Sequence, residues 1–267
     1  KYHVPRLCFI NKLDRTGASF ERSYKSILER LNPNAIAIQI PIGEEDALEG
    51  VIDLIRGKAI YFEGAKGETV VEKDIPENMQ AAYKQWREAM IDKIAGVDDV
   101  LSEKYLEGKE ITEDELRSVL RAATISAKLF PVLCGSALKN KGVQLMLDGV
   151  FYYLPSPADL KPVKGIDPAN DQEITREARD TESFSSLAFK LWSDPYVGNL
   201  TYFRVYSGTL KKGSYVYNAT QGKKERIGRI LRMHANHREE VDEVYAGGIA
   251  AAVGLKGTRT GDTLCDE

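Results

Sequence analysis

The segment "RLCFINKLDRTGASFERSYKSILERLNPNAIAIQI" (residues 6–40) decides the fold of the first part of the chain. An apolar run ends at Ile10, and a polar loop follows it up to Gly17. Apolar side chains then recur at three- and four-residue spacing, which predicts an amphipathic helix. The helix face predicted in this way comprises Phe20, Tyr24, Ile27, Leu28 and Leu31. The run "AIAIQIPI" (residues 35–42) predicts one further strand, and a strand–helix–strand unit favours a parallel sheet.

The composition is typical of a globular protein. The chain has 267 residues, of which 43% are hydrophobic and 29% charged, with a formal net charge of -3. This length allows two or three compact units. No apolar run approaches the roughly 20 residues of a membrane-spanning helix, so we expect no membrane partner. The three cysteines form no CxxC pair and the first residues lack signal-peptide order, which predicts free cysteines in a reducing compartment.

Glycine, proline and charge divide the chain into segments. From Glu44 to Leu120 there are 20 Asp and Glu against 10 Lys and Arg. This acidic stretch combines short strands with helices, one of which is predicted to begin with a capping box at Thr112 and Glu115. The last segment consists of short strands that predict a small closed antiparallel barrel. The five predicted segments are 1–43, the α+β insertion 44–128, the strand and helix 129–160, the proline-containing linker 161–182 and the barrel 183–267.

The motif Asn11-Lys12-Leu13-Asp14 follows the first strand, at the edge where open α/β sheets bind ligands. The Asp14 carboxylate can accept two hydrogen bonds from guanine, one from N1–H and one from the exocyclic amine. The Asn11 amide can reach N7, and the Lys12 stem can lie flat on the base. Adenine would leave Asp14 facing an acceptor, and rejections of this type can reach about 10⁴-fold.

A second motif, "CGSALKNKG" (residues 134–142), follows the next core strand in the equivalent position. There the Ala137 backbone N–H can donate to guanine O6, an acceptor that adenine lacks. Ser136 can brace the turn, which Leu138 completes. The first motif alone is a modest signal, because it fixes only three positions. The second alone is weak, because Gly-Ser-Ala turns cap many helices. The two motifs together, in this order, predict a guanine-binding site.

Longer stretches show a family resemblance. "VPRLCFINKLDRTGASF", "VLCGSALKNKGVQ" and "YLPSPADLKPVKG" resemble elongation factor G, the GTPase that drives ribosomal translocation. "FKLWSDPYVGNLTYFRVYSGTL", "GKKERIGRILRMHANHREEV" and "YAGGIAAAVGLKGTRTGDTLCDE" resemble the second domain of that family. The resemblance covers essentially the whole chain. It is to bacterial and organellar members, which implies a location in the bacterial cytoplasm or an organellar matrix.

The resemblance implies an α/β plus all-β fold. Part of a P-loop-NTPase-type parallel sheet carries an α+β insertion and is followed by a translation-factor-type antiparallel β-barrel. The parent enzyme would bind GTP or GDP with Mg²⁺ and couple GTP hydrolysis to the movement of tRNA and mRNA.

The phosphate half of such a site has no counterpart in this sequence. The pattern GxxxxGK[ST] occurs nowhere in the 267 residues. "DRTG" (residues 14–17) matches the family's DxxG letters, but it overlaps the base-reading Asp14, and we interpret it as a coincidence. We therefore expect an internal fragment that lacks the last part of its barrel, carries no catalytic residues, binds little or no nucleotide by itself and is inactive.

Positive charge concentrates in the barrel segment. From Asn199 to Arg238 there are nine Lys and Arg against the single acidic residue Glu225. The resemblance implies that this domain contacts small-subunit ribosomal RNA, and that the acidic insertion meets the ribosomal stalk protein. The candidate RNA contacts are Lys211, Lys212, Lys223, Lys224, Arg226, Arg229 and Arg232. His234 and His237 have no third ligand nearby in sequence, so we expect no metal site.

Three alternatives stay open at this point. A nucleotide-independent module could bind RNA through the barrel and a protein through the insertion, without any phosphate loop. A related translational GTPase, such as a release factor or a ribosome-protection protein, would share both guanine motifs. An adenylate-using enzyme with a chance NKxD would need a phosphate loop that the sequence does not contain.

Overall fold

The structure is a computed structural model that describes residues 4–167, 172–194, 198–234 and 237–266. The chain divides into two compact units, Lys1–Leu154 and Pro155–Glu267. Among the described residues, no helix has both the length and the apolar character needed to cross a bilayer.

The first unit combines a parallel sheet, an antiparallel sheet and helices. Its strands are β1 (Cys8–Ile10), β2 (Ala35–Ala37), β3 (Gln39–Ile42), β4 (Gly50–Asp53), β5 (Lys58–Glu63), β6 (Thr69–Lys73) and β7 (Phe130–Cys134). Its helices are α1 (Phe20–Arg30), α2 (Gln80–Ala95), α3 (Asp99–Leu106), α4 (Glu113–Ile125) and α5 (Val143–Tyr153), with 3₁₀ turns at Glu45–Ala47 and Glu77–Met79.

The predicted parallel sheet is confirmed. Its order is β1-β7-β2, and both pairs run parallel. Tyr24 ties α1 to this sheet, because its hydroxyl donates to Ala35 O at 3.0 Å and accepts from Ala37 N at 3.3 Å. Of the predicted helix face, Phe20 and Tyr24 are buried. Leu31 is 76% exposed and the helix ends one residue before it, so its assignment to the helix face was wrong.

The run "AIAIQIPI" forms two strands in two different sheets, so the prediction of a single strand was wrong. β2 belongs to the parallel sheet, whereas β3 begins the antiparallel sheet β3-β4-β5-β6. Ile38 connects them, since its N–H donates to Val132 O and its carbonyl accepts from Leu54 N, both at 3.0 Å. The apolar pattern is the same in both strands, because both are buried.

Of the helices in the insertion, α4 has a clear start signal in the sequence, whereas α3 does not have an apolar period. The predicted capping box of α4 is confirmed, with Glu115 N donating to Thr112 Oγ1 at 3.3 Å and Thr112 N donating to Glu115 Oε2 at 2.9 Å. Helix α3 was not predicted. It is short and buries only Leu101, so it has no apolar period, although Asp98 caps it at 2.9 Å.

The second unit consists mainly of strands. These are β8 (Val163–Ile166), β9 (Glu173–Arg176), β10 (Ser185–Asp194), β11 (Gly198–Ser207), β12 (Leu210–Lys211), β13 (Tyr215–Asn218), β14 (Lys223–Arg226), β15 (Arg229–His234), β16 (His237–Val241), β17 (Glu243–Val244), β18 (Ile249–Val253) and β19 (Thr263–Cys265). β8 and β9 form a hairpin inside the segment predicted as a linker. Residues 168–171 of that segment lie outside the described residues.

The main sheet of this unit curls into a barrel. Its order is β14-β13-β19-β10-β11-β18-β15-β16. β14 and β15 are separated only by Ile227 and Gly228 in the chain, yet they lie near opposite ends of this order. The sheet therefore has to bend round until its ends meet, and Ile227 is fully buried at that point. The parallel sheet and this antiparallel barrel confirm the predicted fold class.

Candidate functional site

Two loops leave the parallel sheet side by side. Ile10 at the end of β1 is opposite Cys134 at the end of β7. We call residues 11–17 the first loop and residues 135–142 the second loop. The Gly135 N–H donates to Ile10 O at 3.0 Å, which joins the loops at their origin. The structure therefore brings the two predicted guanine motifs to one edge of the sheet.

Asn11 links the two loops through its side chain. Its Oδ1 accepts from the Ala137 N–H at 2.9 Å and from the Lys12 N–H at 2.7 Å. These two bonds fix the orientation of the amide. The side-chain nitrogen has no acceptor among the described residues and can donate to a ligand. The Ala137 N–H, predicted to serve guanine O6, is engaged by Asn11, so a ligand carbonyl would share or replace that contact.

Asp14 supplies the carboxylate of the site. Its Oδ1 is closed to solvent and has no hydrogen-bond partner among the described residues. The Ser136 side chain hydrogen-bonds to Asp14 and lowers the pKa of its carboxyl, which outweighs the opposite effect of burial. The charges of Lys139 and Arg15 act in the same direction as Ser136. An ionised oxygen that is closed to water and has no donor is costly. Because the Asp14 side chain as a whole is only partly buried, a rotation of the carboxylate would present this oxygen to a ligand that brings N–H groups.

Backbone geometry explains the two glycines of the second loop. A Cβ on Gly135 would lie 2.1 Å from Lys141 O, and a Cβ on Gly142 would lie 2.5 Å from Cys134 O. Ser136 and Lys141 exchange two backbone hydrogen bonds of 2.9 Å, which close the loop. The tight loop therefore requires glycine at both positions.

Lys12 and Leu138 lie at the exposed rim of the site. Lys12 has φ of 65°, a left-handed conformation that costs a residue with a side chain about 1–2 kcal/mol. Leu138 is 80% exposed. Strain of this kind is often found at binding sites. Both side chains are free to lie against a ligand.

A turn of the insertion holds the first loop in place. No prediction of this contact was made from the sequence. The Glu45 N–H donates to Leu13 O at 2.9 Å. Its side-chain Oε1 accepts from the Gly17 N–H at 2.6 Å. Glu45 therefore holds the first loop at two points.

The insertion also holds the second loop in place, through the β5–β6 hairpin and through Leu48, which precedes β4. Gly67 O accepts from the side-chain amides of Asn140, at 3.3 Å, and Gln144, at 3.0 Å. The Lys141 ammonium donates to Leu48 O. The partners of the Asn140 and Lys141 contacts are 73 and 93 positions apart in sequence. No local pattern indicates such contacts, so the sequence carried no signal for them.

Six of the seven candidate RNA contacts of the barrel fall into two groups, and the seventh, Lys224, lies on β14. Lys212 forms an ion pair with Glu240, and Arg232 lies 3.7 Å from Glu239. These acidic residues belong to β16, which pairs with β15. The basic stretch counted from the sequence ended at Arg238, inside β16 and just before Glu239 and Glu240, so part of its charge is neutralised by acidic residues outside the count. Candidates without an ion pair among the described residues are Lys211, Lys223, Arg226 and Arg229.

The two histidines lie on neighbouring strands. His234 is opposite His237, and His234 Nε2 lies 3.5 Å from Glu239 Oε2. Within the part of the chain that the structure describes, no three His, Cys, Asp or Glu side chains are grouped so that they could hold a metal ion.

Comparisons with known proteins agree with this geometry. The family model described as "Elongation factor Tu GTP binding domain" matches residues 1–156, a range that includes both loops. The model described as "Elongation factor Tu domain 2" matches residues 198–265. A crystal structure of a protein from Thermus thermophilus is similar over 99% of this chain, with a TM-score of 0.78 and 25% sequence identity. The chain spans 36% of the length of that protein.

Proposed function

Because the chain belongs to the translational GTPase family, with a GTP-binding domain and a domain 2 of elongation factor Tu type, we propose that it is part of an elongation factor G. The long stretches quoted above support this assignment over a release factor or a ribosome-protection protein. So does the insertion between β3 and β7, which that family carries in its GTPase domain. In the complete protein, GTP hydrolysis would be coupled to the movement of tRNA and mRNA on the ribosome.

The observation that carries the guanine-binding part of this proposal is that a carboxylate and an amide side chain with unused hydrogen-bonding atoms lie at one sheet edge. Asp14 Oδ1 lacks a donor among the described residues, and the Asn11 side chain is oriented by Ala137. Guanine supplies N1–H and its amine to Asp14, and N7 to the Asn11 nitrogen. Its O6 can accept from the Ala137 N–H. Adenine offers Asp14 an acceptor at N1 instead of a donor.

The chain fits the base of GTP and does not fit its phosphates or Mg²⁺. Phosphate binding in this class of enzyme uses the backbone and Lys of GxxxxGK[ST], and its Ser or Thr binds the metal. None of the 267 residues forms that pattern. Since phosphate and metal contacts supply most of the catalysis, we propose that this chain selects the base and is inactive alone.

The partners follow from the same assignment. We propose that the barrel contacts small-subunit ribosomal RNA through the unpaired members of the basic group, such as Lys211 and Lys223. The acidic insertion would meet the ribosomal stalk protein. The location proposed is the bacterial cytoplasm or an organellar matrix.

An exchange of base specificity tests the guanine assignment. In the complete protein, Asp14→Asn should shift the preference from guanine towards xanthine nucleotides, because xanthine carries a carbonyl where guanine carries its amine. Nucleotide affinities would be measured by fluorescence competition. Asp46→Asn is the matched control, since Asp46 is a carboxylate in the adjacent 3₁₀ turn that is not buried. Equal affinity for GDP in the wild type and Asp14→Asn would rule the assignment out.

The absence of GxxxxGK[ST] favours a second candidate for the isolated chain, a nucleotide-independent binding module. Calorimetry of the 267-residue chain with GDP separates the two. We expect weak or undetectable heat from the chain alone, with binding restored in the complete protein. If the complete protein also fails to bind GDP, the module is the correct description.

A further inference from the structure

A cavity of about 330 Å³ lies in the first unit, where the insertion meets the parallel sheet. Its walls are formed by residues of β3, β4, β7, α4 and α5. None of its lining residues belongs to the first or the second loop, so the cavity is separate from the guanine site. Its volume is in the range of sites that hold small molecules.

Three carboxylates of the cavity wall come from three different elements. Asp53 is the last residue of β4, Asp114 lies in the first turn of α4, and Asp148 lies on α5. Among the described residues, none of the three forms an ion pair with a basic side chain. The wall therefore carries negative charge that no direct contact neutralises.

The two cations of the wall are already paired. Arg117 lies 2.6 Å from the Glu113 carboxylate and 4.1 Å from the ring centroid of Tyr152. Its Nε is closed to solvent, so an occupant of the cavity cannot reach that atom. Arg56 lies 3.0 Å from the carboxylate of Glu72, a residue of β6 outside the cavity. The remaining charge of the wall is negative, which favours a cationic occupant.

Asp53 and Tyr153 present unused polar atoms to the cavity. Asp53 Oδ1 accepts from the backbone N–H groups of Ile55, at 2.9 Å, and Arg56, at 3.1 Å, whereas its Oδ2 has no donor among the described residues. Tyr153 is 4% exposed, and its hydroxyl also lacks a hydrogen-bond partner in the part of the chain that the structure describes. Neither atom is closed to solvent. Polar atoms in such a position suit a ligand that supplies their partner.

The electrostatics of the two groups point the same way. Burial raises the pKa of the Asp53 carboxyl, and burial together with the Asp53 charge raises the pKa of the Tyr153 hydroxyl. A positive group beside them would stabilise the ionised carboxylate. The tyrosine oxygen remains protonated at neutral pH and can accept one N–H of that group.

We propose that the cavity binds a small organic cation with two or more ammonium groups, an alkyl diamine or polyamine. One ammonium would donate to Asp53 Oδ2 and to the Tyr153 hydroxyl oxygen. A second would lie at Asp114 and Asp148, whose side chains are exposed. The methylene chain between them would contact apolar wall residues such as Leu145.

A metal ion and a partner's side chain fit this cavity less well. Over the described ranges, no three His, Cys, Asp or Glu side chains are grouped to hold a metal ion. A lysine or arginine of a partner protein brings one charge, whereas three carboxylates are unpaired. The proposal goes beyond the function proposed above and does not rest on it.

Calorimetry of the 267-residue chain with 1,4-diaminobutane, spermidine and 1,4-butanediol tests the proposal. The diamine should bind saturably at one site, and the neutral diol of the same length should give no heat. Spermidine should bind about fivefold more tightly than the diamine, because its third ammonium adds an ion pair. Either amine should raise the melting temperature of the first unit.

Substitutions in the wall locate the site. Asp53→Asn keeps the acceptor for the turn and should weaken diamine binding by about tenfold, since a charged hydrogen bond is lost. Tyr153→Phe should weaken it by about threefold. Asp148→Asn, at an exposed residue whose change should not disturb folding, should weaken it by about twofold. Asp92→Asn is the matched control, because Asp92 is an exposed carboxylate of α2 outside the cavity, and it should leave binding unchanged.

Three results would overturn the proposal. The first is equal diamine affinity in the wild type, Asp148→Asn and Tyr153→Phe, which stand in for Asp53→Asn if that variant does not fold. The second is displacement of the diamine by Mg²⁺ at equal concentration of charge, which would show a counterion effect of the acidic surface. The third is no amine binding together with binding of a lysine-containing peptide. All of these measurements are made without nucleotide, so the Asp14→Asn test can fail or succeed separately.

Discussion

Asp14 in the first loop and Asp262 in the barrel are both surrounded by polar groups, but they differ in how their oxygens are used. Asp262 is 3% exposed, and its Oδ2 accepts from Asn218 Nδ2 at 2.9 Å and from Arg259 N at 2.8 Å. Its Oδ1 accepts from Gln221 Nε2 at 3.3 Å. Asp14 Oδ1, in contrast, has no donor among the described residues and no access to water.

The ionisation state does not distinguish the two carboxylates. Burial alone would raise the pKa of Asp262, and hydrogen bonds led by that from Asn218 lower it below its usual value. The pKa of Asp14 is lowered chiefly by its hydrogen bond with Ser136. Both carboxylates are therefore ionised at neutral pH. The difference lies in the unfilled acceptor: Asp262 stabilises a turn of the barrel, whereas Asp14 can receive a ligand.

Removing each carboxylate should produce the largest contrast in stability. Asp262→Ala leaves three donors without their acceptor, and we expect it to lower the free energy of unfolding of the second unit by about 4 kcal/mol. Asp14→Ala removes few contacts and should change that of the first unit by less than about 1 kcal/mol. Urea denaturation of the two variants measures both values. Similar losses in the two variants would show that Asp14 is a structural carboxylate.

A smaller effect is expected from the backbone of the second loop. Gly135→Ala places a Cβ against Lys141 O and should cost about 3 kcal/mol in the free energy of unfolding. Gly108→Ala is the control, because Gly108 also has a positive φ of 69° but no atom within 4 Å of the added Cβ. It should cost only about 1 kcal/mol. Equal melting temperatures for the two variants would show that the loop relaxes, and that its geometry is less defined than that of the Asp262 turn.

The smallest effect on stability is expected at Glu115, a carboxylate near the surface whose two oxygens both accept hydrogen bonds. Its hydrogen bond with Lys104, together with the Thr112 cap, lowers its pKa from 4.5 to about 2. Because the folded pKa lies below the unfolded one, this stabilisation is present above pH 4.5 and is lost as the pH falls towards 2. Glu115→Gln should flatten the decrease of melting temperature in that window. Asp114→Asn, at a neighbouring exposed carboxylate, should not, and an unchanged profile in Glu115→Gln would contradict the expectation.

Local chemistry explains what could be predicted from the sequence. The strand–loop–helix around Asn11 and the capping box at Thr112 depend on neighbours within a few residues, and both were predicted. The division of "AIAIQIPI" between two sheets was not, since Ile38 changes partners without any change in apolar pattern. The contacts of Glu45 and Gly67 with the loops join distant residues, and only the fold brings them together.

Nucleotide discrimination by the complete protein is the most direct test of guanine recognition by the two loops. Inosine diphosphate differs from GDP only in lacking the amine that Asp14 is proposed to accept from. GDP should bind more tightly than inosine diphosphate by about tenfold or more, and Asp14→Ala should remove most of that difference. Equal affinities for the two nucleotides in the wild type, or a difference that survives Asp14→Ala, would contradict a role of Asp14 in reading the base.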